Sequence, residues 1–162
     1  MFKTIGLFAH VDSGKTSLAE QILYETNAIR TKGRVDHQHT FLDHHSIERQ
    51  RGITVFTEQA SFKYNDSIYY LLDTPGHIDF SSEMERAIKV LDYAIVIING
   101  FEGVHSHTET IVDCLTQYHI PMVFFINKVD REGVDLERVL TQLRLNLGIT
   151  PISIPIDLHL SE

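Results

Sequence analysis

The sequence predicts an α/β domain: a doubly wound, mostly parallel sheet with one antiparallel edge strand. Three observations carry this expectation. Ile68 to Leu72, Tyr93 to Ile98 and Met122 to Ile126 are nearly continuous apolar runs, as expected of parallel strands covered on both faces. Between and after them lie stretches with a single apolar stripe at helical spacing, and such alternation of strand and helix marks layered α/β folds. The Thr-rich, β-branched stretch from Ile53 to Lys63 ends in the turn Tyr64-Asn65-Asp66-Ser67, which predicts an antiparallel hairpin with the next strand at one sheet edge.

Taken in order, the chain opens with an apolar strand, Phe2 to Ala9, followed by an apolar-faced helix beginning near Lys15. The segment from Asn27 to Gly52 has no clear period and is too long for a passive connection, so it reads as a functional loop. After the hairpin, Phe80, Met84, Ala87, Ile88 and Leu91 mark one helix stripe; Ile111, Leu115 and Tyr118 mark another. Leu136, Val139, Leu140, Leu143 and Leu147 mark the last. From Pro151 the tail alternates, with Ile152, Ile154, Ile156, Leu158 and Leu160 on one side, predicting an edge strand with a buried face. Its pairing partner is hard to find upstream, and the expectation is that the tail opens a further unit.

The length, 162 residues, suits one domain, and 43% hydrophobic content is enough for a core. A net charge of −8 argues against a broad basic face of the kind that binds DNA. Any RNA contact would be local, near Arg30, Lys32 and Arg34 or Arg49 and Arg51, although a solvated charged loop explains these residues as well. The single Cys114 lies in a helical stretch and reads as a small buried hydrophobe. The N-terminal apolar run is interrupted by Gly6 and is neither signal peptide nor membrane span, so the expected setting is the cytoplasm.

The chemistry is concentrated at strand ends. Ala9-His10-Val11-Asp12-Ser13-Gly14-Lys15-Thr16 joins the first strand to the first helix as a phosphate-binding loop, with Ala9 where the usual pattern has Gly. Its backbone N–H groups can converge on an anion, Lys15 can reach the β and γ phosphates, and the Thr16 hydroxyl can ligate Mg²⁺. The fold expectation is therefore that of a P-loop NTPase. Asp73, closing the strand before Thr74-Pro75-Gly76-His77, can hold Mg²⁺ through water, while Gly76 lets backbone approach the γ-phosphate.

Asn127-Lys128-Val129-Asp130 follows another strand, and the Asp130 carboxylate can accept from guanine N1–H and the 2-amino group. Adenine lacks that donor pair, so a mismatch leaves a buried charge unpaired at a cost of about 1–3 kcal/mol. The expected nucleotide is GTP or GDP. In Arg51-Gly52-Ile53-Thr54, the Thr54 hydroxyl could complete the Mg²⁺ shell only while a γ-phosphate is present, which makes this segment a switch. His37, His39, His44 and His45 lie beside Asp36 and Asp43, but their spacing fits no helical or hairpin metal pattern, and solvated loop histidines are the preferred reading. His105 and His107, just before a helix, read as capping-region residues.

Together with Glu48-Arg49-Gln50-Arg51-Gly52-Ile53-Thr54, these motifs resemble those of the translational GTPases. Within that superfamily the chain is similar to elongation factor G and the tetracycline ribosomal-protection proteins, which share Ala at position 9 and the spacing through Gly33-Arg34-Val35-Asp36 to Asp43. The resemblance spans essentially the whole chain. It implies nucleotide contacts from Asp12, Ser13, Gly14, Lys15, Thr16 and Ser17 in the loop, and from Gly76, Asn127, Lys128 and Asp130 beyond it. Thr16, Thr54 and Asp73 would serve the Mg²⁺, and a monovalent cation beside Asp12 would offset repulsion between that carboxylate and the phosphates. His77 would orient the attacking water behind an apolar gate formed by Val11 and Ile53; in small signalling GTPases the position of His77 is more often Gln.

The resemblance also implies an organisation. Residues 1–147 correspond to the core of a G domain without its final guanine loop, since no Ser-Ala pair occurs in the chain, and residues 148–162 to the truncated start of an inserted subdomain. Two function classes stay open. One is a GTPase of a ribosome-associated factor, of the elongation factor G or tetracycline-protection type, stimulated by the ribosome. The alternative is a truncated nucleotide- or ribosome-binding module without useful turnover, with loose GTP binding.

Overall fold

The computed structural model describes residues 1–30, 58–74, 87–150 and 152. Their elements are β1 (Phe2–Ala9), α1 (Lys15–Glu25), β2 (Glu58–Tyr64), β3 (Ser67–Asp73), β4 (Tyr93–Asn99), α2 (Ser106–Gln117), β5 (Met122–Asn127) and α3 (Leu136–Leu147). The five strands form one sheet in the order β2-β3-β1-β4-β5. β1 runs parallel to β3 and β4, and β4 parallel to β5. Only β2 is antiparallel, pairing with β3 across the two-residue turn Asn65-Asp66. The expected fold class is therefore observed, down to the hairpin at the edge.

Alternation along the strands divides the core between the two faces. Phe8, Leu72 and Val96 pack with Ile88, Leu91, Ile111 and Leu115 in one cluster, which also takes in Cys114 as the small buried residue the sequence predicts. Leu7 and Leu71, one residue out of step with Phe8 and Leu72, pack with Ala19 and Leu23 of α1 and with Ala60 and Phe62. A smaller cluster joins Ile98 to Val139 and Leu143 of α3. That helix starts at Asp135, whose carboxylate accepts from the Arg138 N–H at 3.0 Å, and ends at Gly148 with a left-handed φ of 62°.

The predicted helix from Phe80 to Leu91 lies mostly outside the described residues; Ala87 and Ile88 are helical and buried, while Leu91 is buried but lies past the helix end. The tail strand meets a correction at Ile152, which is 90% exposed and in no strand. A strand needs a neighbour to pair with, and no described strand lies alongside it; the rest of the tail is outside the described residues. No helix among the described residues is long and apolar enough to cross a membrane.

Parallel pairing has one consequence for function: it brings the C-terminal ends of β1, β3, β4 and β5 to one rim. The register pairs Leu7 with Asp73, Ala9 with Ile97 and Asn99 with Asn127. In open α/β sheets this rim is where ligands bind.

Candidate functional site

At the rim, β1 leaves the sheet through a turn in which the Ser13 N–H donates to the His10 carbonyl at 3.2 Å. Asp12 and Gly14 both take positive φ, 60° and 92°, and α1 begins at the next residue, Lys15. Left-handed residues set two apart turn successive N–H groups inward, giving the concave backbone surface that suits an anion at a helix start. Gly14 is required twice over. Its φ penalises a side chain, and a Cβ there would collide with Asn127 Nδ2.

Lys15 crosses from the loop to the end of β3. Its ammonium lies 2.6 Å from Asp73 Oδ1 and also donates to the Thr74 carbonyl. Both charged groups are buried, so the pair is shielded from solvent and strongly attractive. Thr74 is itself tied to β1: its hydroxyl donates to the Leu7 carbonyl at 2.5 Å and its N–H to the same carbonyl at 3.4 Å. Ser13 Oγ is buried and has no hydrogen-bond partner among the described residues, leaving a hydroxyl within the loop for a ligand.

β5 supplies the second wall. Asn127 Nδ2 donates to the Ser13 carbonyl at 2.9 Å, and the Lys128 ammonium to the Asp12 carbonyl. Lys128 takes φ 58°, which bends the chain at the strand end. The Asn127 carbonyl accepts from the Gly100 N–H at 2.8 Å, linking this wall to the end of β4. Asp130, three residues past Asn127, is exposed, as a carboxylate must be if it is to meet a base.

The structure thus unites Asp12, Ser13, Gly14, Lys15, Asp73, Asn127 and Lys128 in one site. Thr16 is half-buried in the first turn of α1, whereas Ser17 and Val11 face solvent. Ile53, Thr54, Gly76 and His77 lie outside the described residues, as do His37, His39, His44 and His45. Among the described residues no cluster of three or more His, Cys, Asp or Glu side chains is built to hold a metal ion. Sequence reasoning misses two participants. Thr74 reads in the sequence only as part of a turn, although its carbonyl receives Lys15. His105 does occupy the N-cap of α2, but its side chain makes no cap hydrogen bond and stacks on His10 instead.

Comparison with known proteins agrees with this geometry. The family profile described as Elongation factor Tu GTP binding domain matches residues 2–154. Tetracycline resistance protein TetP of Clostridium perfringens is 43% identical over 144 residues, covering 89% of this chain and 22% of that protein. Elongation factor G 2 of Hahella chejuensis is 39% identical over 160 residues, covering 99% of this chain and 24% of its own. The crystal structure of ttk003000868 from Thermus thermophilus superposes with a TM-score of 0.84 at 33% identity, covering 91% of this chain and 22% of that one. The chain therefore spans about a quarter or less of the length of these relatives. Matches of this kind do not favour the reading as a binding module without turnover. The chain belongs to the elongation factor Tu GTP-binding domain family and is a GTP-binding domain similar to those of elongation factor G and the tetracycline resistance proteins.

Proposed function

We propose that the chain binds and hydrolyses GTP as the nucleotide-binding part of a cytoplasmic translation factor that works on the ribosome. The observation that carries this reading is the meeting of Lys15, Asp73, Asn127 and Lys128 around one loop at the sheet rim. In this reading residues 1–147 are the nucleotide-binding core, and residues 148–162 begin an inserted subdomain.

The loop N–H groups and Ser13 Oγ receive the phosphates, and Lys15 turns from Asp73 to the β and γ oxygens. Asp130 accepts from the guanine edge and sets the preference over adenine. The buried Asp73 carboxylate and the Thr16 hydroxyl would supply hard oxygen donors of the type Mg²⁺ prefers, with Thr54 as a further donor when the γ-phosphate is present. Mg²⁺ bound there would neutralise charge on the phosphates. His77 orients the attacking water, with Val11 and Ile53 as the gate in front of it. Phosphoryl transfer depends mainly on positioning and charge stabilisation, so one oriented imidazole suffices for that role. A monovalent cation beside Asp12 is a lesser part of the proposal: the Lys128 ammonium already lies on the Asp12 carbonyl, so the expected ion dependence is small.

The test is displacement of a fluorescent GDP analogue, with Mg²⁺ present, by unlabelled GTP or ATP. Displacement by GTP alone, weakened in Asp130→Asn, is the expected result; equal displacement by ATP would overturn the guanine assignment. Hydrolysis should rise on adding ribosomes and fall about 10²–10⁴-fold in His77→Ala, the range that positioned acid–base groups contribute. Unchanged turnover in that variant would remove His77 from the mechanism.

A further inference from the structure

Three imidazoles meet where the phosphate loop leaves β1. The His10 ring is stacked on His105, with centroids 4.4 Å apart and planes 26° from parallel, and it meets the buried His107 ring at 6.2 Å and 60°. None of the three figured in the nucleotide chemistry above. We propose that His105 is a positioning residue for the phosphate loop, holding its base in place through the ring stack on His10. The proposal rests on reading residues 9–16 as a phosphate loop and adds the device that keeps the loop in shape.

His10 is where such control would be effective. Its carbonyl accepts the Ser13 N–H that closes the loop's first turn, so rotation of His10 would carry the following N–H groups with it. Its Nδ1 is buried with no hydrogen-bond partner among the described residues, so ring packing is what remains to orient that side of the imidazole. His105 supplies the packing at the expense of a local preference. It sits at the N-cap of α2, where Ser, Asp, Asn or Thr would satisfy a helix N–H, yet makes no cap bond there. Breaking a local rule at a helix end next to a ligand loop is the pattern expected of a residue kept for function.

The platform under His105 is fixed from two other elements. Asn99, at the end of β4, accepts the Phe101 N–H on Oδ1 at 3.1 Å and the Gly103 N–H on its carbonyl at 2.8 Å. From α3, Gln142 Oε1 accepts the Val104 N–H at 3.1 Å, and the Arg138 guanidinium donates to the Phe101 carbonyl at 2.6 Å. Glu102 lies 3.3 Å from His105 Nε2 and steadies the imidazole from its own loop. With the platform braced in this way, the stack transmits its position to the phosphate loop rather than the reverse.

The experiment compares the full chain with His105→Ala and His105→Phe, the latter keeping a ring to stack. Amide hydrogen exchange over residues 10–16, without added nucleotide, should accelerate in His105→Ala and return to the native rate in His105→Phe. Affinity for a fluorescent GDP analogue should fall about two- to tenfold in His105→Ala, the strength of an ordinary aromatic pair, and recover in His105→Phe. Native exchange in His105→Ala, or equal loosening in both variants, would overturn the proposal. Should His105→Ala fail to fold, His105→Phe decides alone: native exchange supports the stack and faster exchange refutes it. If the native chain binds no GDP while the exchange difference persists, the guanine reading fails and the positioning role of His105 stands.

Discussion

The two walls of the site differ in how far the protein has completed them by itself. At the end of β1, Ser13 and Lys15 are buried, and Lys15, Asp73 and Thr74 are already locked together. Beyond the end of β5, Val129 and Asp130 face solvent. In the proposed reading the phosphate wall therefore doubles as part of the structural core, whereas the base wall would be completed by a ligand. Substitutions on the first should reach both stability and binding; at the exposed Val129 and Asp130 they should reach binding alone.

The strongest way to break this comparison is Lys15→Ala. Removing one member of a buried ion pair leaves Asp73 without its ammonium partner, and the expected loss is about 3–5 kcal/mol of folding stability as well as nucleotide binding. Urea denaturation measures it; a loss below about 1 kcal/mol would show that the pair is solvated and the wall not part of the core. Gly14→Ala comes next, at about 1–3 kcal/mol, because it combines a strained φ of 92° with a Cβ that displaces Asn127 Nδ2. A thermal melt of that variant at the native midpoint would contradict the close approach.

Asn127→Ala should cost about 1 kcal/mol by releasing the Ser13 carbonyl, again read by denaturation. Asp130→Asn completes the series at the smallest effect on stability, within about 0.5 kcal/mol, because the residue is exposed. Its guanine preference should nevertheless fall by about 1–3 kcal/mol in competition binding. A large melting shift in Asp130→Asn would place it in the structural wall and erase the contrast.

The ease of reading the two kinds of feature in the sequence follows the physics that makes them. Strands β3, β4 and β5 are apolar runs because both their faces are covered, and each observed strand extends the predicted run by at most one residue at either end. The hairpin was legible because its turn residues sit between two β-rich segments, and the observed register pairs Tyr64 with Ser67 across it. The loop itself was legible because Gly, Lys and a hydroxyl at fixed spacing mark a strand-to-helix turn of this kind, and Gly14 takes the positive φ there with the helix starting at Lys15. What was hidden is contact between distant segments whose residue types have ordinary local explanations. His105 could pass for a capping residue, and nothing in its neighbours points to a residue 95 positions earlier. Alternation in the tail predicts which face could be buried but not where the chain runs; of that segment only Ile152 is among the described residues, and it is exposed.

The contact between Lys15 and Asp73 also bears on discrimination among anions. A carboxylate 2.6 Å from the ammonium acts as a built-in competitor, present at an effective concentration that no dissolved buffer anion can match. Sulfate or inorganic phosphate, offering little beyond charge, must displace it with few contacts in return. A nucleotide bound as proposed would engage the loop, the lysine and the base wall at once and could afford the exchange, so the internal carboxylate would make the site respond to the whole ligand rather than to charge alone.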